Sequence, residues 1–129
     1  MKLKGIELEG TYKIVCYATN LVVYDEKGKE IYREYSDGYW AKWEYNEKGK
    51  MIYYEDSNGY WVRKKYNEKD NQSYSEDSDG YWFKIEYNEK GEQIYYEDSE
   101  GISIDERVKE LTIEEIEKSL GYKIKIKGE

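Results

Sequence analysis

Residues 45–65 read YNEKGKMIYYEDSNGYWVRKK, and this stretch decides the fold. The letters Asn46–Gly49 predict a four-residue loop that ends in a left-handed glycine, and Ser57-Asn58-Gly59 predicts a second turn. The runs that follow each turn are about six residues long and rich in Tyr, Trp, Ile and Val, which is typical of strands. One such unit is therefore predicted to be a β-hairpin plus the turn to the next hairpin.

The same unit occurs four times without gaps. Its copies begin at Tyr24, Tyr45, Tyr66 and Tyr87, so successive starts are 21 residues apart (45 − 24, 66 − 45 and 87 − 66). A fixed period of this length indicates a repeat architecture. The predicted fold class is mainly β, an antiparallel meander sheet of β-hairpin repeats with one short C-terminal α-helix and a final strand. Four hairpins predict about eight strands.

The chain is interpreted as a single domain, 1–129. Residues 1–23 are predicted to supply two or three capping strands, 24–107 the four repeats, and 108–129 a helix and a last strand. Thr112 and Glu115 form a capping-box pattern, and Gly121 is a plausible stop. We expect this helix to cover the apolar face of the sheet or its last edge.

A half-buried strand is predicted after the helix, because Tyr122, Ile124 and Ile126 alternate with lysines. The repeats also degenerate toward this end. Asp70-Asn71 replaces a glycine and a polar residue in the third unit, and asparagine and aspartate tolerate the left-handed backbone. The fourth unit has Ile102-Ser103 in place of the Tyr-Trp pair.

A tryptophan column is expected on one face of the sheet. Trp40, Trp61 and Trp82 occupy the same position in three units. Side chains alternate along a strand, so the neighbouring tyrosine column, which begins at Tyr39, lies on the opposite and mostly apolar face. The tryptophans either form a binding surface or pack against each other across strands or under the terminal helix.

The net charge of the chain limits the classes of partner that we expect. The formal net charge is −8 and the sequence pI is about 4.8, which argues against nucleic acid as a direct ligand and suits a basic protein surface or plain solubility. The single cysteine, Cys16, lies in an apolar run and is predicted to be buried in a reducing compartment. No export signal and no membrane span is visible, so a cytoplasmic location is expected.

The repeat text resembles known hairpin repeats. The Y-D/N-x-x-G opening, as at Tyr45–Gly49, and the D-x-x-G midpoint, as at Asp56–Gly59, are similar to the tyrosine-aspartate (RHS-type) repeats. The YNEKG…IYYEDSNGYW pattern, over 24–107, looks more like tyrosine-rich repeats of small proteins from phages and mobile elements of Gram-positive bacteria. That resemblance implies an accessory protein of a phage, several of which inhibit host defence machinery, including CRISPR effectors. The repeats also resemble, in part, choline- or glucan-binding cell-wall repeats, but the Gly-Trp opening of those repeats is absent from this sequence.

Catalysis is not expected. The chain has no histidine, which removes the commonest general base and zinc ligand, and one cysteine without histidine gives no nucleophile pair. Asp77–Gly80 looks like the start of a calcium loop but lacks the downstream glutamate, so we interpret it as a turn. A glycosidase carboxylate pair remains open in principle. No cofactor and no metal is predicted.

The favoured hypothesis is a non-catalytic protein-binding inhibitor of a bacterial defence system. Aromatic anchors suit an interface. Residues 45–65 carry a charge of +2 (5 − 3), whereas residues 66–86 carry −4 (2 − 6) and residues 87–107 carry −5 (2 − 7), which suits competition for a basic nucleic-acid channel. A glycan-binding module and an assembly protein that joins copies edge to edge are the alternatives. The candidate partner-binding residues are Trp40, Trp61, Trp82, Tyr54, Tyr96, Asp77, Asp79, Asp98 and Glu100.

Overall fold

The repeats form one continuous sheet. A computed structural model gives the fold and describes residues 2–107, 111–123 and 125. Within those residues ten antiparallel strands pair strictly in chain order, and one helix follows them. The strands are β1 (Lys13–Cys16), β2 (Asn20–Tyr24), β3 (Glu30–Tyr35), β4 (Trp40–Tyr45), β5 (Met51–Asp56), β6 (Trp61–Tyr66), β7 (Gln72–Asp77), β8 (Trp82–Tyr87), β9 (Gln93–Asp98) and β10 (Ser103–Asp105), and the helix is α1 (Ile113–Leu120). The predicted fold class is confirmed, and β3–β10 are the eight strands of the four hairpins.

The first turn of each unit is built around one Asn or Asp side chain. The Asn46 side-chain oxygen accepts hydrogen bonds from the N–H groups of Lys48 and Lys50, both at 3.0 Å. Gly49 closes the loop with φ +83°, where a residue with a Cβ is strained. The third unit keeps this geometry with Asp70 at φ +67°, so the expected tolerance of aspartate for the left-handed backbone is confirmed.

Each unit also contains one β-bulge, and the odd repeat length requires it. The residue without a direct partner is Ile31, Ile52, Ser73 or Ile94 in the four units. With the bulge, Trp43 pairs with Tyr54 and Tyr54 with Val62, so residues 19 apart (62 − 43) share a face. Equivalent residues, 21 apart, then also share a face, because side chains alternate with a period of two. Without the bulge, residues 20 apart would share a face and successive units would point their tryptophans to opposite sides.

Equivalent residues are offset along the sheet as well as across it. Val62 lies opposite Trp43 through Tyr54, whereas its counterpart in the repeat is Ala41, two residues earlier. Each unit is therefore displaced by two residues relative to the one before it. Successive tryptophans are therefore separated by two strand spacings across the sheet and by the rise of two residues along it. The resulting distance between them is ~12 Å.

We call the face with Trp40, Trp61 and Trp82 the front face and the face with Tyr39, Tyr60 and Tyr81 the back face. Among the described residues, every strand contacts only its neighbours in the sheet, so the sheet is a single layer. One end of the sheet is covered, because the N-terminal segment, residues 2–10, folds over the front face there. Leu8 in this segment packs with Val23 and Tyr32 to form the buried hydrophobic cluster. The cluster thus lies on the face opposite to the one that looked more apolar in the sequence.

Two kinds of hydrogen bond tie each unit to the next. Trp61 N–H donates to Ser78 Oγ at 3.1 Å, and Ser78 N–H donates to the Trp61 carbonyl at 2.9 Å; the pairs Trp40–Ser57 and Trp82–Ser99 repeat this arrangement. The tyrosine that opens each unit caps the bulge of the unit before it. Tyr66 Oη, for example, donates to the Met51 carbonyl at 2.7 Å. Backbone groups that the turn and the bulge remove from strand pairing are thereby satisfied.

The ends depart from the sequence predictions in several respects. The number of N-terminal strands, β1 and β2, is within the predicted two or three, but the first apolar run folds as the front-face cover, with an isolated bridge between Lys2 and Glu7. Cys16 is exposed rather than buried, because β1 is the edge of the sheet. No helix in the described part of the chain is long and apolar enough to cross a membrane.

The C-terminal helix has the predicted caps but not the predicted position. Thr112 and Glu115 form the capping box, and Gly121 ends the helix with φ +82°. Within the described residues α1 contacts no strand and has no buried residue, so it covers neither the apolar face nor the last edge. The predicted final strand depends on Ile124 and Ile126, which lie outside the described residues.

Deleting Ile52 tests the role of the bulge. Removal of this residue turns every side chain beyond it to the opposite face, so we expect the cooperative unfolding transition in urea to be lost or to fall to a far lower midpoint. The matched control is Ile52→Ser, since the third unit already carries Ser73 at this position. That variant should lose about 1–2 kcal/mol from the removed methyl groups and keep its cooperativity. Equal behaviour of the two variants would contradict the bulge requirement.

Candidate functional site

The front-face tryptophans lie at the first residue of β4, β6 and β8, directly after the second turn of each unit. Their backbones are fixed by the serine hydrogen bonds of the following unit, so the side chains project from held positions. Each tryptophan pairs across the strands with a glutamate: Glu34 with Trp40, Glu55 with Trp61 and Glu76 with Trp82. A regular group of side chains surrounds each indole as a result.

We call each group an aromatic subsite. It consists of a tyrosine and a glutamate two residues apart on one strand, the tryptophan opposite the glutamate, and the cation two residues after the tryptophan. Subsite 1 is Tyr32, Glu34, Trp40 and Lys42; subsite 2 is Tyr53, Glu55, Trp61 and Arg63; subsite 3 is Tyr74, Glu76, Trp82 and Lys84. The fourth unit has Ser103 opposite Glu97 and therefore no indole.

Hydrogen bonds and cation–π contacts hold each subsite together. The tyrosine hydroxyl donates to the glutamate at 2.7 Å in subsite 1, 2.6 Å in subsite 2 and 3.1 Å in subsite 3. The cation lies over the indole with its charged group 5.7, 5.4 and 5.3 Å from the ring centroid, in the same order. These distances are within the range of favourable cation–π contact. The three groups therefore share one geometry.

Subsite 2 is linked to subsite 3 by charge. The guanidinium of Arg63 lies over both Tyr53 and Trp61, at 5.6 and 5.4 Å from the ring centroids, and its Nη1 is 3.1 Å from Glu76 Oε1. The hydrogen bond to Glu55, followed by burial, raises the pKa of Tyr53 to about 12. A depression of about 790 Å³ continues from this subsite toward the turn at Asn46.

Subsite 1 is covered by the N-terminal segment. Gly5 lies against the indole of Trp40 so closely that a Cβ on Gly5 would be 2.3 Å from Trp40 Cδ2. The Gly5 N–H donates to the Tyr32 hydroxyl at 3.0 Å, and the Lys4 N–H donates to Glu34 Oε1 at 3.2 Å. The front-face aromatic surface that remains open therefore begins at subsite 2, and Trp40 is not part of it.

In the part of the chain that the structure describes, Trp40, Trp61 and Trp82 neither stack on each other nor pack under α1. Among the described residues, the ring contact of Trp40 is with Tyr32, at a centroid distance of 6.3 Å and an interplanar angle of 27°. Trp61 and Trp82 are half-buried, and the cations Arg63 and Lys84 lie over them. The separation of ~12 Å between successive tryptophans of the column prevents their rings from stacking on each other.

Two predicted site residues, Tyr54 and Tyr96, lie on the back face. Tyr54 pairs with Trp43, and its hydroxyl donates to Asp56 at 3.0 Å; Tyr96 is bonded in the same way to Asp98 at 2.9 Å. Asp98 is only 4% exposed and also accepts the Glu100 and Ile102 N–H groups. Burial alone would raise the pKa of Asp98, but these hydrogen bonds outweigh it and lower that pKa. Asp98 thus organises a turn and is not available to a partner.

The remaining predicted residues lie at the turn edge of the sheet. Asp77 is another turn aspartate, whose carboxylate accepts the N–H groups of Asp79 and Tyr81. Asp79 and Glu100 occupy the tips of successive turns and are exposed. The nine predicted residues are therefore divided among the front face, the back face and this edge.

The sequence interpretation missed the tyrosines and glutamates of the subsites. Tyr53, Glu55, Tyr74 and Glu76 recur with the same period as the tryptophans, and this regularity is the signal that was available. Their role became visible only when strand register placed each glutamate opposite an indole. Gly5 lies outside the repeats and offered no such signal.

Comparison with known proteins gives no assignment. No protein-family model matches the chain, and no curated protein matches it in sequence. Within the described residues no group of three or more acidic or cysteine side chains is arranged to hold a metal ion. Any function of this chain must therefore be inferred from the side-chain geometry of its sheet.

Replacing Gly5 with alanine tests the cover on subsite 1. The added Cβ would overlap the Trp40 indole, so we expect a loss of about 1–3 kcal/mol in the free energy of unfolding and a change in Trp40 fluorescence. The matched control is Glu9→Ala, an exposed position of the same segment. If both variants unfold at the wild-type urea concentration, Gly5 does not pack on Trp40 as described.

Alkaline pH should unfold the protein through its tyrosines. Hydrogen bonding to Glu55 raises the pKa of Tyr53 from 10.0 to about 12, and burial followed by hydrogen bonding raises that of Tyr54. A raised pKa means that the neutral form stabilises the fold fully below pH 10 and that this contribution is lost as the pH rises toward 12. Tyrosinate absorbance should therefore rise together with loss of circular dichroism. Titration at the unfolded-chain pKa with the sheet intact would contradict the assignment.

Proposed function

We propose that the chain is a non-catalytic protein-binding protein, and most specifically a phage-encoded inhibitor of a bacterial defence system, of the anti-CRISPR kind, that acts in the cytoplasm of the host. The observation that carries this proposal is the open aromatic row formed by subsites 2 and 3 and Tyr95, on the part of the front face beyond the N-terminal segment, where no other element of the described residues covers the sheet. Each of the five strands β5–β9 contributes one aromatic side chain to this row, and tyrosine and tryptophan alternate from strand to strand: Tyr53, Trp61, Tyr74, Trp82 and Tyr95.

The composition of this row suits a protein interface. Tyrosine, tryptophan and arginine are the residues that most often supply binding energy at interfaces, and Trp61 and Arg63 are adjacent on this face. Their side chains are already held by hydrogen bonds and cation–π contacts, so little conformational entropy is lost on binding. A glycan-binding function is the alternative, since tryptophans repeated along a sheet could also stack on sugar rings.

The charge distribution supports a basic partner. The third and fourth units together carry −9 (−4 and −5), and Asp79 and Glu100 hold part of this charge at exposed turn tips. Complementary charge speeds association and selects partners. A nucleic-acid-binding defence protein offers a basic channel, and occupation of that channel by an acidic sheet would exclude its substrate.

The test is a pull-down from the bacterial host followed by a nuclease-inhibition assay. We expect the double variant Trp61→Ala, Trp82→Ala to lose the captured partner and the inhibition by about 100-fold or more, since two anchor residues are removed. The matched control is Tyr60→Ala, a back-face aromatic that is 39% exposed and should leave both unchanged. Retention of the same partner by the double variant would overturn the front-face assignment.

A further inference from the structure

Subsite 1 shows how a peptide segment binds to this surface. The N-terminal segment places Gly5 on the Trp40 indole and directs two successive N–H groups, those of Lys4 and Gly5, at Glu34 and Tyr32. The Tyr32 hydroxyl accepts from Gly5 and donates to Glu34 at 2.7 Å, which aligns both acceptors. The acceptors, the indole and the cation of this subsite all belong to the repeat, whereas the bound segment does not.

The Leu3 N–H donates to the Ile6 carbonyl at 2.8 Å and Lys2 pairs with Glu7, so Lys4-Gly5 is the tip of a tight turn. Resting on the function proposed above, we propose that subsites 2 and 3 bind a tight turn of the partner protein that has a basic residue followed by glycine at its tip. The segment would lie as Lys4-Gly5 lies on subsite 1, with the glycine on the indole of Trp61 or Trp82. Its two N–H groups would donate to the tyrosine hydroxyl and the glutamate carboxylate of the subsite.

The subsites are equivalent in the features that hold the segment. Glu55 lies opposite Trp61 and Glu76 opposite Trp82, in the register that Glu34 has with Trp40. The tyrosine hydroxyls donate to these glutamates, which leaves their lone pairs to accept an incoming N–H. Among the described residues, no other glycine has a tryptophan within 4 Å of its added Cβ, so subsites 2 and 3 have no Gly5 counterpart from this chain.

The indole selects glycine for a steric reason. Trp40 carbons lie 2.3, 2.5 and 2.6 Å from the position of a Cβ on Gly5, distances at which a side chain and the ring cannot both remain in place. The Trp40 ring also contacts the Lys42 ammonium, which restricts its movement away from the segment. Any residue larger than glycine must lift the segment from the ring and lengthen both hydrogen bonds.

The preference for a preceding basic residue follows from the neighbouring turn. The Lys4 ammonium lies 3.5 Å from the position of a Cβ on Gly38, in the second turn of the first unit. The residue before this glycine is Asp37 in the first unit, Asn58 in the second and Asp79 in the third, and both aspartates are exposed. A lysine or arginine at this place in subsite 3 therefore has an acidic residue in the neighbouring turn, as in subsite 1, whereas the turn beside subsite 2 offers an amide.

The residues that flank the Lys-Gly step differ between the subsites. In subsite 1 the strand before Tyr32 and Glu34 presents Val23 and Leu21, against which the apolar residues of the N-terminal segment pack. The same positions are Glu44 and Lys42 beside subsite 2, and Lys65 and Arg63 beside subsite 3. A segment that binds subsites 2 and 3 therefore has polar neighbours, so the N-terminal segment of a second copy is a poor occupant.

The experiment is a titration of the isotope-labelled full chain with the disulfide-closed peptide Cys-Ser-Lys-Gly-Ser-Cys, whose ring holds Lys-Gly at the tip of a turn, followed at the indole N–H signals. We expect saturable shifts at Trp61 and Trp82 and none at Trp43, which lies on the back face. The control peptide, with alanine for the glycine, should bind about 10-fold more weakly or worse. The variant Glu55→Gln, Glu76→Gln should weaken binding, whereas Glu92→Gln, at an exposed position, should not.

Three results overturn the inference. They are equal binding of the glycine and alanine peptides, shifts confined to Trp40 or Trp43, and absence of any shift at a peptide concentration on the order of 1 mM. Displacement of the N-terminal segment, seen as shifts at Gly5 and Trp40 alone, counts among these. If the Trp61, Trp82 double variant still loses its partner in the pull-down while the peptide fails to bind, the proposed function stands and this inference falls.

Discussion

One β-bulge in each unit is the constraint on which the rest of the structure depends. A repeat with an odd number of residues alternates its faces from copy to copy unless one residue per copy is left out of the pairing. The unpaired residue, Ile52 in the second unit, restores the alternation, and Tyr66 of the next unit caps the carbonyl before it. The tryptophan column, the buried turn aspartates and the three aromatic subsites all depend on this bulge.

A sheet of this kind is stabilised mainly by interactions between neighbouring strands and neighbouring units. The buried hydrophobic cluster is confined to the N-terminal end, around Leu8, Val23 and Tyr32, and the later units have no second layer among the described residues. Cross-strand pairs, turn carboxylates such as Asp56, and the hydrogen bonds that join successive units hold them instead. Tyrosine suits this arrangement, since its ring packs against neighbours while its hydroxyl donates to a carboxylate or carbonyl.

Much of the fold follows from the sequence because it is encoded locally and repeated. The loop at Asn46–Gly49, the left-handed Asp70 and the capping box of Thr112 and Glu115 each depend on residues close in the chain, and all three predictions are confirmed. The cover of Trp40 by Gly5 could not be predicted, because it joins a segment without periodicity to a distant strand. The same reason explains the wrong prediction for the helix, whose own pattern fixes its caps but not what it contacts.

The displacement of two residues per unit has a consequence for how such a surface can change over time. Each unit contacts only the units beside it, so duplication or loss of one unit leaves the pairing of the others intact. A further copy would lengthen the front face by ~12 Å along a diagonal and add one indole with its glutamate and cation. The number of subsites on the surface thus follows the number of repeat units that the gene encodes, and it can change by one unit at a time while the existing contacts stay the same.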